Sequence, residues 1–144
     1  MDVEIDFPIE FLVDGVPVSH QAKRAESRQE WQATIRHACR AVLQEGHFQS
    51  FESISVTLFH FPETEMKGDV DNIIKPFLDA MKGSVYGDDK QVARVMAQKF
   101  EYAKESNFLS PSPMLAEALG RTKPLTYVRV TNDPLEGFRH GFIF

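Results

Sequence analysis

Apolar and polar positions alternate strictly over residues 4–13, with Ile5, Phe7, Ile9, Phe11 and Val13 on one side and Glu4, Asp6, Pro8 and Glu10 on the other. A period of two predicts a half-buried strand. Pro8 lacks the N–H that a ladder needs, which assigns the strand to a sheet edge. Asp14-Gly15 supplies the turn that ends it. The period then lengthens. Trp31, Ile35, Ala38, Cys39, Val42 and Leu43 recur at helical spacing across residues 27–45. Ser27 and Glu30 read as a capping box at the start of this helix, and Gly46 as its stop. Residues 53–61 return to alternation: Ile54, Val56 and Leu58 against Ser53, Ser55 and Thr57. Phe59 and Phe61 add apolar groups to the second face, so both faces of this strand are expected to be covered. Pro62 closes it.

Val70, Ile73, Ile74, Phe77, Leu78 and Met81 fall at i, i+3, i+4, i+7, i+8 and i+11, the apolar face of an amphipathic helix over roughly 70–82. Asp69 stands where an N-cap stands, and Gly83 where a helix stops. Pro76 removes the bond to the Asn72 carbonyl and is expected to bend the first turns. Residues 91–103 read as a strand with Val92, Met96, Phe100 and Tyr102 on one face. A breaker-rich loop over 106–113 leads to Ser112-Pro113, the start of a short helix that stops at Gly120. A last strand spans 125–131, and Phe138, Phe142, Ile143 and Phe144 make an apolar end that needs a partner surface. This succession of elements predicts an α+β fold: one domain over residues 1–144, a mixed sheet of about four strands, and helices packed against it.

Composition narrows the class. A chain of 144 residues that is 42% hydrophobic, with twelve Phe, is long enough to bury a core of its own. No apolar run reaches membrane-spanning length and the acidic start carries no signal segment, so no membrane partner is expected. Cys39 is the single cysteine, which excludes an internal disulfide and fits a reducing cytoplasm. Beside Ala38 and Val42 it reads as a small core residue. A net charge of −5 argues at first sight against nucleic acid. Yet Asp2, Glu4, Asp6, Glu10 and Asp14 precede any base, and the remainder balances at 16 acids and 16 bases. Lys23, Arg24, Arg28, Arg36, His37 and Arg40 gather in one segment, either a basic face for a partner or an ordinary solvated helix face.

Candidate chemistry concentrates between Lys67 and Val92, where Asp69, Asp71, Asp79, Asp88 and Asp89 surround Lys75. Asp71 and Lys75 are four apart and share a helix face. Carboxylates brought together repel unless a cation holds them, and hard oxygen ligands suit Mg²⁺ or Mn²⁺. Each residue also has a plainer reading. Asp69 alone is an N-cap, Gly87-Asp88-Asp89 alone a turn, and Lys75 with Asp71 or Asp79 a surface ion pair. Asn72 caps or orients an aspartate, and Asp79 is a structural residue or a support for Lys75. Glu63 and Glu65 are weaker ligand candidates or a solvated loop. His60 is a metal ligand or, more simply, a sheet residue; no second His or Cys stands at ligand spacing, which argues against zinc. Pro17 to Lys23, with Ser19 and His20, is a connecting loop.

The ordered pattern Asp69-x-Asp71-Asn72-x-x-Lys75, then Asp79, Gly83 and Asp88-Asp89-x-x-Val92, resembles the RusA family of Holliday junction resolvases. The tight match covers about a fifth of the chain. The layout before it is loosely similar: a strand, Gly15-Val16-Pro17-Val18-Ser19, then a long helix. The resemblance implies a RusA-like α+β fold and a homodimer acting on four-way or related branched DNA. The implied activity is metal-dependent endodeoxyribonuclease, with paired phosphodiester hydrolysis in DNA recombination and repair. It implies that Asp69, Asp71 and Asp89 are catalytic carboxylates that bind Mg²⁺ or Mn²⁺, and that Lys75 is the catalytic lysine. Asp88 would serve a second metal, and the loop at Ser19 and His20 would approach DNA phosphate. Two other readings stay open. A metal-dependent nucleotide phosphohydrolase would need a closed pocket with base-stacking aromatics. A non-catalytic DNA-binding or interaction module would keep the fold but scatter the carboxylates.

Overall fold

The computed structural model describes residues 3–19, 24–65, 68–102, 104 and 107–141. Four strands, β1 (Ile9–Asp14), β2 (Ile54–Phe61), β3 (Val92–Lys99) and β4 (Leu125–Thr131), form one sheet in the order β1-β4-β2-β3. β4 runs antiparallel to both β1 and β2, and β2 runs parallel to β3. The fold is therefore the expected α+β arrangement with a mixed sheet. β1 is an edge strand, as Pro8 requires, and it begins only after that proline. β2 and β4 are central and buried along their whole length. Among the described residues no helix is long and apolar enough to cross a membrane.

Alternation distributes the core to two faces. Ile9, Phe11 and Val13 of β1, Ile54, Val56 and Leu58 of β2, and Val128 and Val130 of β4 face α1 (Ala25–Ala41) and α2 (Asp71–Met81). Trp31, Ile35 and Cys39 come down from α1, and Ile73, Phe77, Ala80 and Met81 from α2. Trp31 and Phe77 meet edge to face at 5.8 Å, an arrangement that aromatic quadrupoles favour. A Cβ at Gly15, where φ is +124°, would lie 3.1 Å from the Trp31 ring, so this turn needs glycine twice over. Phe59 and Phe61 point the other way, to Leu115 and Ala118 of α3 (Pro113–Gly120) and to Leu125 and Tyr127. The expectation that both faces of β2 are covered holds. A short α4 (Glu136–His140) follows β4.

Several local expectations are corrected. Ser27 and Glu30 form no capping box: α1 starts at Ala25, its N-cap Arg24 makes no side-chain cap bond, and Ser27 is already inside the helix. An exposed first turn leaves its N–H groups to water, so no cap is demanded. α1 also ends at Ala41 rather than 45. Val42 and Leu43 donate to the Cys39 and Arg40 carbonyls, a tightening that lets Leu43 pack on the core and His47 pair with Val3. Asp69 is not the side-chain cap of α2; Val70 is the N-cap, with helical φ and ψ and no side-chain bond. α2 continues through Pro76, which is buried, and Gly83 ends the segment at φ +95°.

β3 starts at Val92 and ends at Lys99, with a 3₁₀ turn at Asp89–Gln91 before it. Its expected single face is split. A register shift opposite Ile54 and Ser55 inserts one residue, so Val92 packs with the α1–α2 core while Met96 and Phe100 join the α3 side. One extra residue moves every later side chain to the other face. Of the apolar end, Phe138 lies in α4 and is 78% exposed, while Phe142, Ile143 and Phe144 lie outside the described residues.

Candidate active site

The link from β2 to its parallel neighbour β3 runs through α2 and carries the acidic residues of interest. Asp69 and Asp71 flank the start of α2, and both are exposed. Among the described residues neither side chain makes a hydrogen bond or an ion pair; the Asp69 backbone carbonyl accepts from the Asn72 N–H at 3.2 Å. Lys99, at the end of β3, donates to the Gly68 carbonyl at 2.9 Å and so ties the approach to α2 onto the sheet. Nothing in the spacing of the sequence points to that contact.

Lys75 pairs with Asp79 at 2.8 Å, not with Asp71. Its pKa is raised, chiefly by the hydrogen bond to Asp79; desolvation opposes this, and the charges of Asp79 and, least, Asp89 add to it. The Asp89 charge therefore reaches the α2 surface from the turn that follows the helix. Lys82 draws Asp89 in directly, with Nζ 3.4 Å from Oδ1. Tyr86 underlies this corner. It is fully buried, its hydroxyl donates to the Leu78 carbonyl at 2.7 Å, and burial followed by the charges of Asp89 and Asp79 keeps it protonated.

Asp88 is spoken for. It caps the 3₁₀ turn, accepting from the Lys90 N–H at 2.9 Å. The organising residue here is Gln91, which the sequence pattern did not single out. Its Oε1 accepts from the Gly87 and Asp88 N–H groups at 3.0 Å each, and its Nε2 donates to the carbonyls of Ser50 and Glu52 at 2.7 and 3.0 Å. Four bonds from one amide hold the Asp88–Asp89 turn against the chain ahead of β2. A Cβ at Gly87 would meet the Gln49 side chain at 2.6 Å, so the turn is also closely covered.

The donor set is chemically suited to a hard divalent cation: carboxylate oxygens with no thiolate or imidazole competing. It is not gathered, however. Among the described residues no group of three His, Cys, Asp or Glu side chains could hold a metal ion. His60 is a buried strand residue, its Nδ1 hydrogen-bonded to the Thr126 hydroxyl at 2.9 Å, and burial lowers its pKa from 6.5 to about 4. It lines a cavity of about 280 Å³ that reaches Asp69, Asn72 and Glu65. Of the expected basic segment, Arg24 and Arg40 are exposed and the Arg40 Nε donates to Ser84 Oγ at 3.4 Å; Lys23 and His20 lie outside the described residues.

Open carboxylates with cationic neighbours are thus carried on one crossover of a mixed sheet. The comparison with known families narrows the class. The chain matches the family described as endodeoxyribonuclease RusA over residues 16–107, nearly two thirds of its length, and it belongs to that family. The matched span includes Asp69, Asp71, Lys75, Asp88 and Asp89. No curated protein matches the chain.

Proposed function

We propose that this protein is a metal-dependent endodeoxyribonuclease that resolves Holliday junctions or related branched DNA in recombination and repair. The observation that carries the reading is the family match across the whole Asp69–Asp89 stretch. The geometry supports it in three ways. Asp69 and Asp71 are exposed and uncommitted among the described residues. Asp89 lies close enough for its charge to act on Lys75. Lys75, a cation at neutral pH, is paired with Asp79 at 2.8 Å, which raises its pKa further.

In this reading Asp69, Asp71 and Asp89, which are not gathered in this structure, would come together on Mg²⁺ or Mn²⁺, and Asp88 would keep its turn and serve a second ion where one is used. Mg²⁺ commonly takes one or two carboxylates and completes its shell with water and substrate phosphate oxygens, so a closed cage of protein ligands is not required. The bound ion would supply an activated water and polarise the phosphoryl oxygen. Lys75 places a cation beside the phosphate as negative charge develops, and Asp79 positions that ammonium. Lys82 pairs with Asp89 at 3.4 Å. A homodimer, also proposed, would set two such sites on the two-fold symmetry of a four-way junction. A cytoplasmic location fits the same reading.

The cavity beside Asp69 has no Phe, Tyr or Trp among its described walls, so a free-nucleotide hydrolase finds no stacking platform there. The test is cleavage of a synthetic four-way junction with Mg²⁺ or Mn²⁺, comparing wild type with Asp71→Asn and a linear duplex. Paired symmetric nicks that need the metal and Asp71 are expected. A folded wild-type protein that leaves the junction intact would overturn the proposal.

A further inference from the structure

The cavity between the loop after β1, the end of β2 and the start of α2 shares Asp69 with the proposed metal site and extends away from it. Its size is about 280 Å³. That lies just below the roughly 300–1,000 Å³ of pockets for drug-sized ligands, and suits one planar ring system. Its walls are apolar: Val16, Pro17, Pro62, Pro124 and Ile73. Polar groups converge at two levels. His60 stands on β2 with Nδ1 already bonded to Thr126, which leaves the other ring nitrogen to meet an occupant. Asn72 adds an amide. Glu63, Glu65 and Asp69 are exposed at the rim.

The charge of that rim decides what enters. Carboxylates repel a phosphate but accept hydrogen bonds from an exocyclic amino group, as acidic side chains do from the amino edge of a base. The neighbouring residues Asp69 and Asn72 sit at the start of α2, so the cavity opens beside the carboxylates proposed to work on the backbone. Enzymes that act on one nucleotide commonly lodge its base between apolar and ring side chains, at a cost of a few kcal/mol for unstacking. A strand already held at its phosphates presents its base at high local concentration, so proline walls suffice without an aromatic stack.

We propose that this cavity receives one unstacked nucleobase of the branched DNA, next to the scissile phosphate, and favours amino-bearing bases over thymine. The proposal rests on the DNA-cleaving reading above and adds a sequence-selecting element to it. The pocket lies on the substrate path, and it is filled by the DNA rather than by a free nucleotide.

The test places 2-aminopurine, one position at a time, around the cut sites of a four-way junction, with Ca²⁺ replacing Mg²⁺ during binding. One position should brighten several-fold on binding. Thr64→Trp, which fills the cavity from an exposed rim residue, should abolish that signal and flatten sequence preference while the junction still binds. A junction that is bound and cut with no position brightening would overturn the base pocket and leave the nuclease reading standing. Should the junction not bind at all, the nuclease reading fails and free nucleosides decide the pocket. Millimolar cytidine or adenosine shifting the His60 ring protons, with thymidine inert, would support it; no shift with any nucleoside would overturn it.

Discussion

On the α3 side of the sheet the Glu10 carboxylate is engaged through one oxygen. Its Oε2 accepts from the Ser112 hydroxyl at 2.6 Å and from the buried Tyr127 hydroxyl, and so ties β1 to α3 and β4. Ser112 in turn caps α3 by accepting from the Leu115 N–H at 3.2 Å. On the crossover from β2 to β3 the same functional group is left open. Asp69 and Asp71 face solvent and, among the described residues, no hydrogen bond or ion pair occupies them. The difference separates carboxylates that the fold uses from carboxylates that it leaves open. A fold that uses a carboxylate for its own cohesion satisfies it; one that keeps it for a ligand leaves its lone pairs facing water. Asp79 and Asp88 lie between, one spent on Lys75 and the other on a turn.

This contrast is sharpest at Asp71. Asp71→Asn should lower junction cleavage a hundredfold or more, about 2.7 kcal/mol or more on the barrier. The melting temperature should stay close to wild type, as for other surface changes. A large drop in melting temperature would show that Asp71 is structural after all. Glu10→Ala should do the reverse. Removing the acceptor strands the buried Tyr127 hydroxyl, at a cost of about 1–3 kcal/mol in urea unfolding. Cleavage measured well below the melting point should be unchanged.

His60 offers a pH-based measure. The unfolded chain takes a proton near pH 6.5, but the buried ring resists it until about 4. The unfolded state binds more protons in that window, so stability falls as pH drops from about 6.5 to about 4. In His60→Gln that limb should be missing, and the difference between the two unfolding curves isolates it from the other acids. The smallest effect belongs to Lys75 and Asp79. The pair is exposed, and Asp79→Asn should change stability by about 1 kcal/mol or less. What stabilisation it gives Lys75⁺ is present below the ordinary lysine value of 10.5 and is lost as pH rises through the raised one. Cleavage should suffer more than stability, because the ammonium loses its positioning partner. A loss of stability with cleavage unchanged would place the pair with Glu10 rather than with Asp71.

Periodicity made the framework legible. The strands at residues 54–61 and 125–131, the apolar stripe of α2 and the Ser112-Pro113 start of α3 all follow from local patterning. What escaped was decided by contacts distant in sequence. The bulge that turns Met96 away from Val92 is a property of the β2–β3 pairing. The grip of Gln91 on Ser50 and Glu52, the reach of Lys99 to Gly68 and the pairing of Asp89 with Lys82 each join residues that no single helix or strand period links. The Ser27–Glu30 pattern misled because an exposed helix start can be served by water. Asp69 misled in the other direction: a residue that reads as a cap stays uncommitted because Val70 has already entered the helix. The ordered acidic pattern was visible because it is contiguous, whereas the cavity at His60 was not, since it joins three separate stretches.

That contiguity has a hereditary side. Every group proposed to bind metal or stabilise charge, Asp69, Asp71, Lys75, Asp88 and Asp89, lies on the single crossover between Phe61 and Val92. An exchange between two related genes with breakpoints outside that passage would transfer the whole set as one cassette. A breakpoint between Asp71 and Asp89 would mix halves from two parents. Because Gln91 lies in the same passage and grips only the backbone carbonyls of residues 50 and 52, the cassette would carry its own brace.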